Sequence, residues 1–330
     1  MIRIRRSLSV ALIVIFASTA RGEAGQAERT EHPKRPANAE SRGRGQARPR
    51  RAETRIPPTH KDVRYGPHER NVLDFWQAES ETPTPLVVYI HGGGFRGGSK
   101  ETLRPGILKN LLEAGISVAA LNYRFIKQKR LPAAHHDCRR ALQFLRGKAK
   151  PWHLDKKRVG AFGGSAGAQI CMWLAFHDEM ADPRSADPIA RESTRLTCVA
   201  TNGGQTSMDF AWWKKHIPGY DTPHRKLDEV FDAETDAQRA AIVKDISALS
   251  IISKDDPPIH MSYAMKPDAP IPSDSSRARG WKVHHVTFGL KLAEKMAALS
   301  LETDLKYPGR KAKYESIPHF FKAKLLKRGK

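Results

Sequence analysis

The chain is 330 residues long, 39% hydrophobic and 28% charged, with a formal net charge of +22. That length supports one large core or two modest ones, enough for an enzyme, and the composition is ordinary for a soluble protein. The charge suits anionic polysaccharide, an anionic membrane surface or nucleic acid. No zinc finger, RNA-binding sheet signature or helix-turn-helix pattern accompanies it, so nucleic acid is not an expected partner.

Residues 1–20, MIRIRRSLSVALIVIFASTA, join a basic start to a short apolar centre and end on small residues. This is the layout of a secretory signal peptide, and it implies export to the periplasm or the medium. No later apolar run approaches spanning length, so no integral membrane span is expected after cleavage. Residues 21–56 are rich in Arg, Ala, Glu, Pro and Gly, and almost lack large apolar side chains. They cannot offset the entropy of ordering and read as a disordered basic tether. The tether and leader together hold 13 Lys/Arg against 5 Asp/Glu, leaving +14 on the remainder, so the folded part is basic in itself.

From residue 57 to 330 strands and helices alternate. VRYGPHERNVLDFWQ at 63–77 reads as two short strands around Gly66-Pro67, and LVVYI at 86–90 as a buried strand. A helix over 103–114 stops at Gly115, and ISVAALNYR at 116–124 forms the next strand. Pro132 opens a helix to about Lys148, RVGAF at 158–162 is a strand, and a helix follows over 166–176. LTCVATN at 196–202 and PIHMSYAM at 258–265 are further strands, before a helix over 284–299 and a last strand at 303–309. Such alternation predicts an α/β fold with a mainly parallel central sheet covered by helices on both faces. Residues 206–248 break the rhythm, holding Phe210, Trp212, Trp213 and Tyr220 among many charges. They read as a small cap insertion over the carboxyl edge of the sheet. Cys138, Cys171 and Cys198 lie in apolar-periodic stretches without metal spacing and are expected as buried free thiols.

Two glycine-bearing stretches carry the chemistry. YIHGGGFRGG at 89–98 puts a run of glycines directly after the strand LVVYI, where backbone N–H groups can approach a partner with no Cβ in the way. FGGSAGA at 162–168 is G-x-S-x-G between a predicted strand and a predicted helix. In that context the serine sits on a strained turn with its hydroxyl exposed at the top of the sheet. No metal-ligand cluster and no cofactor fingerprint is visible, and neither a metal nor a cofactor is expected.

HGGGFRGGSK, LNYRF, LPAAHHDCRRALQFLRG and FGGSAGA, in this order and spacing, resemble the α/β-hydrolase superfamily. Within it they resemble the esterase/lipase branch with an H-G-G-G oxyanion loop, which includes hormone-sensitive-lipase-like and feruloyl-esterase-like proteins. The resemblance covers about Val63 to Phe321. It implies Ser165 as nucleophile, with the backbone N–H groups of Gly93, Gly94 and Ala166 as oxyanion donors and His91 as a brace for the loop. It orders the triad as serine, acid, histidine. The acid in that pattern follows the strand after the cap as D-x-x-V-P, which PDAPIP meets with Asp268; Asp255 and Asp256 precede the strand. The histidine is expected just past the final strand and before an aromatic, which selects His319 over His284 and His285.

The implied activity is that of an exported serine carboxylesterase acting on short-chain acyl esters, with acetyl or feruloyl groups on polysaccharide as candidate substrates. Two rivals stand beside it. One is an inactive relative that binds anionic glycans, suggested by the gap between Gly309 and His319 and by the basic surface. The other is a prolyl-type peptidase using the same triad, which lacks a propeller-length N-terminal domain here.

Overall fold

The computed structural model describes residues 56–326, so the expected leader and nearly all of the expected tether lie outside the described residues. Eight strands form one sheet: β1 (His60–Arg64), β2 (Val72–Trp76), β3 (Thr84–Ile90), β4 (Ser117–Leu121), β5 (Leu154–Gly164), β6 (Cys198–Asn202), β7 (Ile259–Ser262) and β8 (Thr303–Lys306). Their order is β1-β2-β4-β3-β5-β6-β7-β8. The first two pairings, β1 with β2 and β2 with β4, are antiparallel, and every later one is parallel. Parallel strands need crossovers that cover both faces, which is why β4 reads SVAAL and is buried throughout.

Ten helices complete the fold: α1 (Pro105–Leu112), α2 (Ala133–Gly147), α3 (Ala166–Phe176), α4 (Phe210–His216), α5 (Leu227–Val230), α6 (Asp236–Asp245), α7 (Ala248–Ile251), α8 (Ser275–Val283), α9 (Thr287–Ala298) and α10 (Ile317–Leu325), among the described residues. Alternate strand residues divide the core in two. Val88, Ala161 and Val199 pack with Leu142 of α2, Ile170 of α3 and Phe288 of α9. Their neighbours Val87, Phe162 and Ala200 pack with Leu108 and Leu111 of α1 and with Phe320 and Phe321 of α10 on the opposite face. Cys138, Cys171 and Cys198 are buried and free, as their apolar settings predict.

Two departures from the sequence reading matter for the site. The stretch read as one helix over 284–299 is broken: α8 ends at Val283, α9 begins at Thr287, and His284 and His285 occupy the corner between them. α8 carries Gly280 and mostly exposed polar residues, with Trp281 its buried side chain, so it has almost no apolar periodicity to reveal it. The second departure concerns the chain after β8. It turns at Tyr307–Arg310, and the Lys313 and Tyr314 N–H groups then donate to the Asp304 carboxylate at 2.9 and 3.1 Å. The segment therefore runs back along β8 and enters α10 on the α1 face of the sheet.

α3 is buried at every position from Ala166 to Phe176, which requires close seating on the sheet. Gly167 provides it, since a Cβ there would collide with the carbonyl oxygens of Ile90 and His91 at the end of β3. Gly167→Ala should push α3 off β3, costing roughly 2–3 kcal/mol and lowering Tm by roughly 5–10 °C, measurable by calorimetry. An unchanged Tm would mean that the helix is not held at this contact.

Candidate functional site

The parallel strands converge at their carboxyl ends, where loops after β3, β5 and β6 meet. β5 ends at Gly164 and the chain reverses through Ser165 into α3. Ser165 has φ 52° and ψ −119°, a left-handed conformation uncommon for a residue with a side chain. Its N–H donates to the Asn202 carbonyl at the end of β6 at 2.9 Å, tying the turn to the neighbouring strand. Its hydroxyl is thereby held above the sheet edge, 2.9 Å from Nε2 of His284.

His284 caps the C-terminus of α8. Its Nδ1 lies 2.9 Å from the Gly280 carbonyl oxygen, one turn back in the same helix. That oxygen can only accept, so the bond places the ring proton on Nδ1 and leaves the Nε2 lone pair for the serine hydroxyl. Gly203, with φ +56°, makes room for the ring, since a Cβ there would crowd the imidazole. Burial lowers the pKa of His284, opposed by the bond to Gly280. The imidazole is consequently neutral around pH 7 and able to accept a proton.

The structure does not bring His319 or Asp268 to Ser165. His319 is exposed on α10, with its ring against Tyr314 and its Nδ1 accepting from the Glu315 N–H at 3.4 Å. The Asp304 clamp, which draws the chain back along β8, removes it from the carboxyl edge. Asp268 is exposed in the loop after β7 and makes no hydrogen bond to His284; a backbone carbonyl orients the ring instead. His285 faces away from the serine, its Nδ1 bonded to Thr287 Oγ1 and its ring on Trp281. A buried histidine-carboxylate pair does exist, His260 Nδ1 with Asp304 Oδ2 at 2.8 Å, but it stacks on Phe320 in the other core. Asp256, before β7, pairs with Arg195 and accepts from the Ser253 N–H.

The glycine loop after β3 is braced from below. His91 is fully buried, stacked on Tyr123 with ring centroids 4.3 Å apart, and its Nδ1 meets the Gly92 carbonyl at 2.7 Å. Burial holds its pKa down at about 4, so it is neutral. Lys100 closes the loop: its buried ammonium contacts the carboxylates of Asp62, Asp74 and Glu101 at 2.7 to 2.9 Å, and its N–H donates to Asn122. Gly93 and Gly94 take φ +108° and +59°, and neither N–H has an acceptor among the described residues. The N–H of Ala166, first residue of α3, has no intrahelical acceptor either.

Gly94, Ser165 and Ala166 share a cavity of about 30 Å³. Its other walls include Met208, Phe210, Trp213, His224, Arg225 and Val230, all from the expected cap segment. Phe210, Trp213 and Tyr220 are buried, and Trp213 meets Phe288 of α9 edge-on at 4.9 Å, which fixes the segment over the sheet edge. Among the described residues no group of His, Cys, Asp and Glu side chains could hold a metal ion. No described helix is long and apolar enough to cross a membrane.

The profile of the BD-FAE family matches residues 73–279, well over half of the chain. Esterase LipQ of Mycobacterium tuberculosis is 24% identical over 234 residues, covering 68% of this chain and 54% of that protein. Ethyl acetate hydrolase of Pseudomonas putida is 31% identical over 153 residues, covering 44% of this chain and 48% of that one. The chain thus spans about half the length of these relatives. The acetyl ester-xyloside bifunctional hydrolase of Caldicellulosiruptor lactoaceticus superposes with a TM-score of 0.58 at 20% identity, covering 76% of this chain and 86% of that one. At that identity the likeness establishes the α/β-hydrolase fold.

In an NMR titration the His284 ring should protonate with a midpoint below 6.5, because burial outweighs the Gly280 bond. A midpoint above 6.5 would point to a carboxylate partner at Nδ1.

Proposed function

This chain belongs to the BD-FAE family, and we propose that it is a serine esterase in which Ser165 and His284 act as a dyad. The observation that carries the reading is the 2.9 Å contact between Ser165 Oγ and His284 Nε2 at a turn of the G-x-S-x-G type. His284 takes the hydroxyl proton as Ser165 attacks the ester carbonyl, and returns it to the departing alcohol. Gly280 O holds the imidazole in the tautomer that can do this. The unpaired N–H groups of Gly93, Gly94 and Ala166 receive the oxyanion, and water then releases the acyl-enzyme by the reverse route.

The substrate reading is a short-chain acyl ester, acetyl before feruloyl. The cavity beside Ser165 is narrow, about 30 Å³ and walled by Phe210, Trp213 and Arg225, which favours a small acyl group such as acetyl over a bulkier phenolic one. An O-acetylated sugar fits this reading, as do the acetyl-ester and ethyl acetate activities in the names of the relatives. The segment 206–248 acts as the cap that closes the cavity. The charged N-terminal leader supports export.

On p-nitrophenyl acetate, Ser165→Ala and His284→Ala should each lose at least ~10³-fold in kcat, and the double variant should lose little more, because the pair acts as a unit. His319→Ala and Asp268→Asn should stay within about threefold, under ~0.7 kcal/mol in the barrier. An inactive His319 variant beside an active His284 variant would overturn the dyad. Because only neutral His284 accepts the proton, and its pKa is lowered, the acid limb of kcat/KM should fall below pH 6.5. Loss of activity already above that value would contradict the assignment.

A further inference from the structure

The guanidinium of Arg225 lines the cavity of Ser165, with Nη2 so close to Gly94 that a Cβ there would collide with it. It is half-buried, and among the described residues it makes no ion pair and no hydrogen bond. Other cations surround it. Burial and then the charge of Arg96 lower its pKa, with Arg279 of α8 adding to the effect. His224 next to it is held at about 4 by burial and by Arg225, Arg279 and Arg96. One carboxylate, Glu229, answers this group, 3.0 Å from Arg96 and 4.0 Å from Lys226 at the exposed rim. On the other side Arg225 borders an open cleft of about 430 Å³, lined also by Pro223, His224, Lys226 and Leu227.

A partly desolvated arginine among like charges costs stability and gains nothing for the fold. Its position explains it better. It lines the cavity of the serine on one side and borders the open cleft on the other, so a part of the ester that extends out of the cavity past residue 225 meets the guanidinium. A guanidinium with free N–H groups matches a carboxylate in two parallel bonds.

We propose that Arg225 selects esters whose alcohol portion carries a carboxylate, the O-acetylated uronic acids of acidic glycans. The proposal rests on the esterase reading for its reaction and on Arg225 for its selectivity. Arg225 binds the sugar carboxylate, and Arg96, Lys226 and Arg279 supply the surrounding positive field.

The test compares kcat/KM on an O-acetylated methyl galacturonide with that on the O-acetylated methyl galactoside, which has hydroxymethyl in place of the carboxylate. Wild type should favour the uronide by about tenfold or more, and about 0.5 M NaCl should lower that ratio. In Arg225→Gln the ratio should approach one, and in Arg225→Lys it should stay between the two. A wild-type ratio near one, or a ratio unchanged in Arg225→Gln, overturns the proposal. So does a stronger preference for the 6-sulfated galactoside, which would make this a sulfate site. If wild type hydrolyses neither sugar nor p-nitrophenyl acetate, the esterase reading has failed, and the Arg225 assignment is decided by calorimetric binding to Ser165→Ala. A trigalacturonide bound in preference to a neutral trisaccharide, with the preference lost on adding Arg225→Gln, upholds it; equal binding overturns it.

Discussion

The bond between Ser165 and His284 joins residues 119 positions apart, and most of the surrounding structure serves to keep its two ends in place. One end depends on the sheet: β5 delivers the serine, Asn202 on β6 holds its N–H, and Gly167 lets α3 start close enough to β3 for the turn to be sharp. The other end depends on where α8 stops. The Val283 carbonyl accepts from Gln205 at 2.8 Å, and Gly203 opens space for the ring, so the loop after β6 positions the imidazole as it does the serine. A strained serine and three unpaired N–H groups are destabilising, and are sustained by buried layers on both faces of the sheet and by the Lys100 cluster under the glycine loop.

The sheet was legible in the sequence because its strands are short apolar runs separated by turn residues and helices, a pattern that periodicity reads well. The serine was legible for a related reason: G-x-S-x-G between strand and helix is a local constraint, complete within seven residues. The histidine was not, because its position depends on two non-local events. α8 has too few apolar residues to announce itself, so His284 looked like the start of a helix when it is the end of one. The return of the chain after β8 is held by Asp304, whose carboxylate binds His260 and the N–H groups nine and ten residues on. Pro308-Gly309 marks a turn, but nothing in YPGRKAKYESIPHFF shows that the chain then runs back along β8.

The net charge gives a similar contrast between composition and placement. A formal +22 spread over a surface says little about a site. The same sign becomes informative at Arg225, which has Arg96 and Arg279 near it and no carboxylate of its own, since Glu229 pairs with Arg96 and Lys226, whereas Arg124 is paired with Asp137, Arg140 with Asp187 and Arg158 with Asp155.

The orienting group of His284 shifts the electrostatic work of the reaction. A carboxylate at Nδ1 does two things, fixing the tautomer and stabilising the imidazolium that forms as the serine attacks. The Gly280 carbonyl does the first through geometry and the second only through its dipole. Burial makes the second harder, as the lowered pKa of His284 records. The transition state also contains an oxyanion, and its surroundings carry positive potential: the free N–H groups of Gly93 and Gly94, the N-terminus of α3 with Ala166, and the Arg225 guanidinium against Gly94. A reaction that creates an ion pair is favoured by stabilising either member. Under the proposed mechanism this fold stabilises the negative one, and so accepts a weaker base on the other side of the serine.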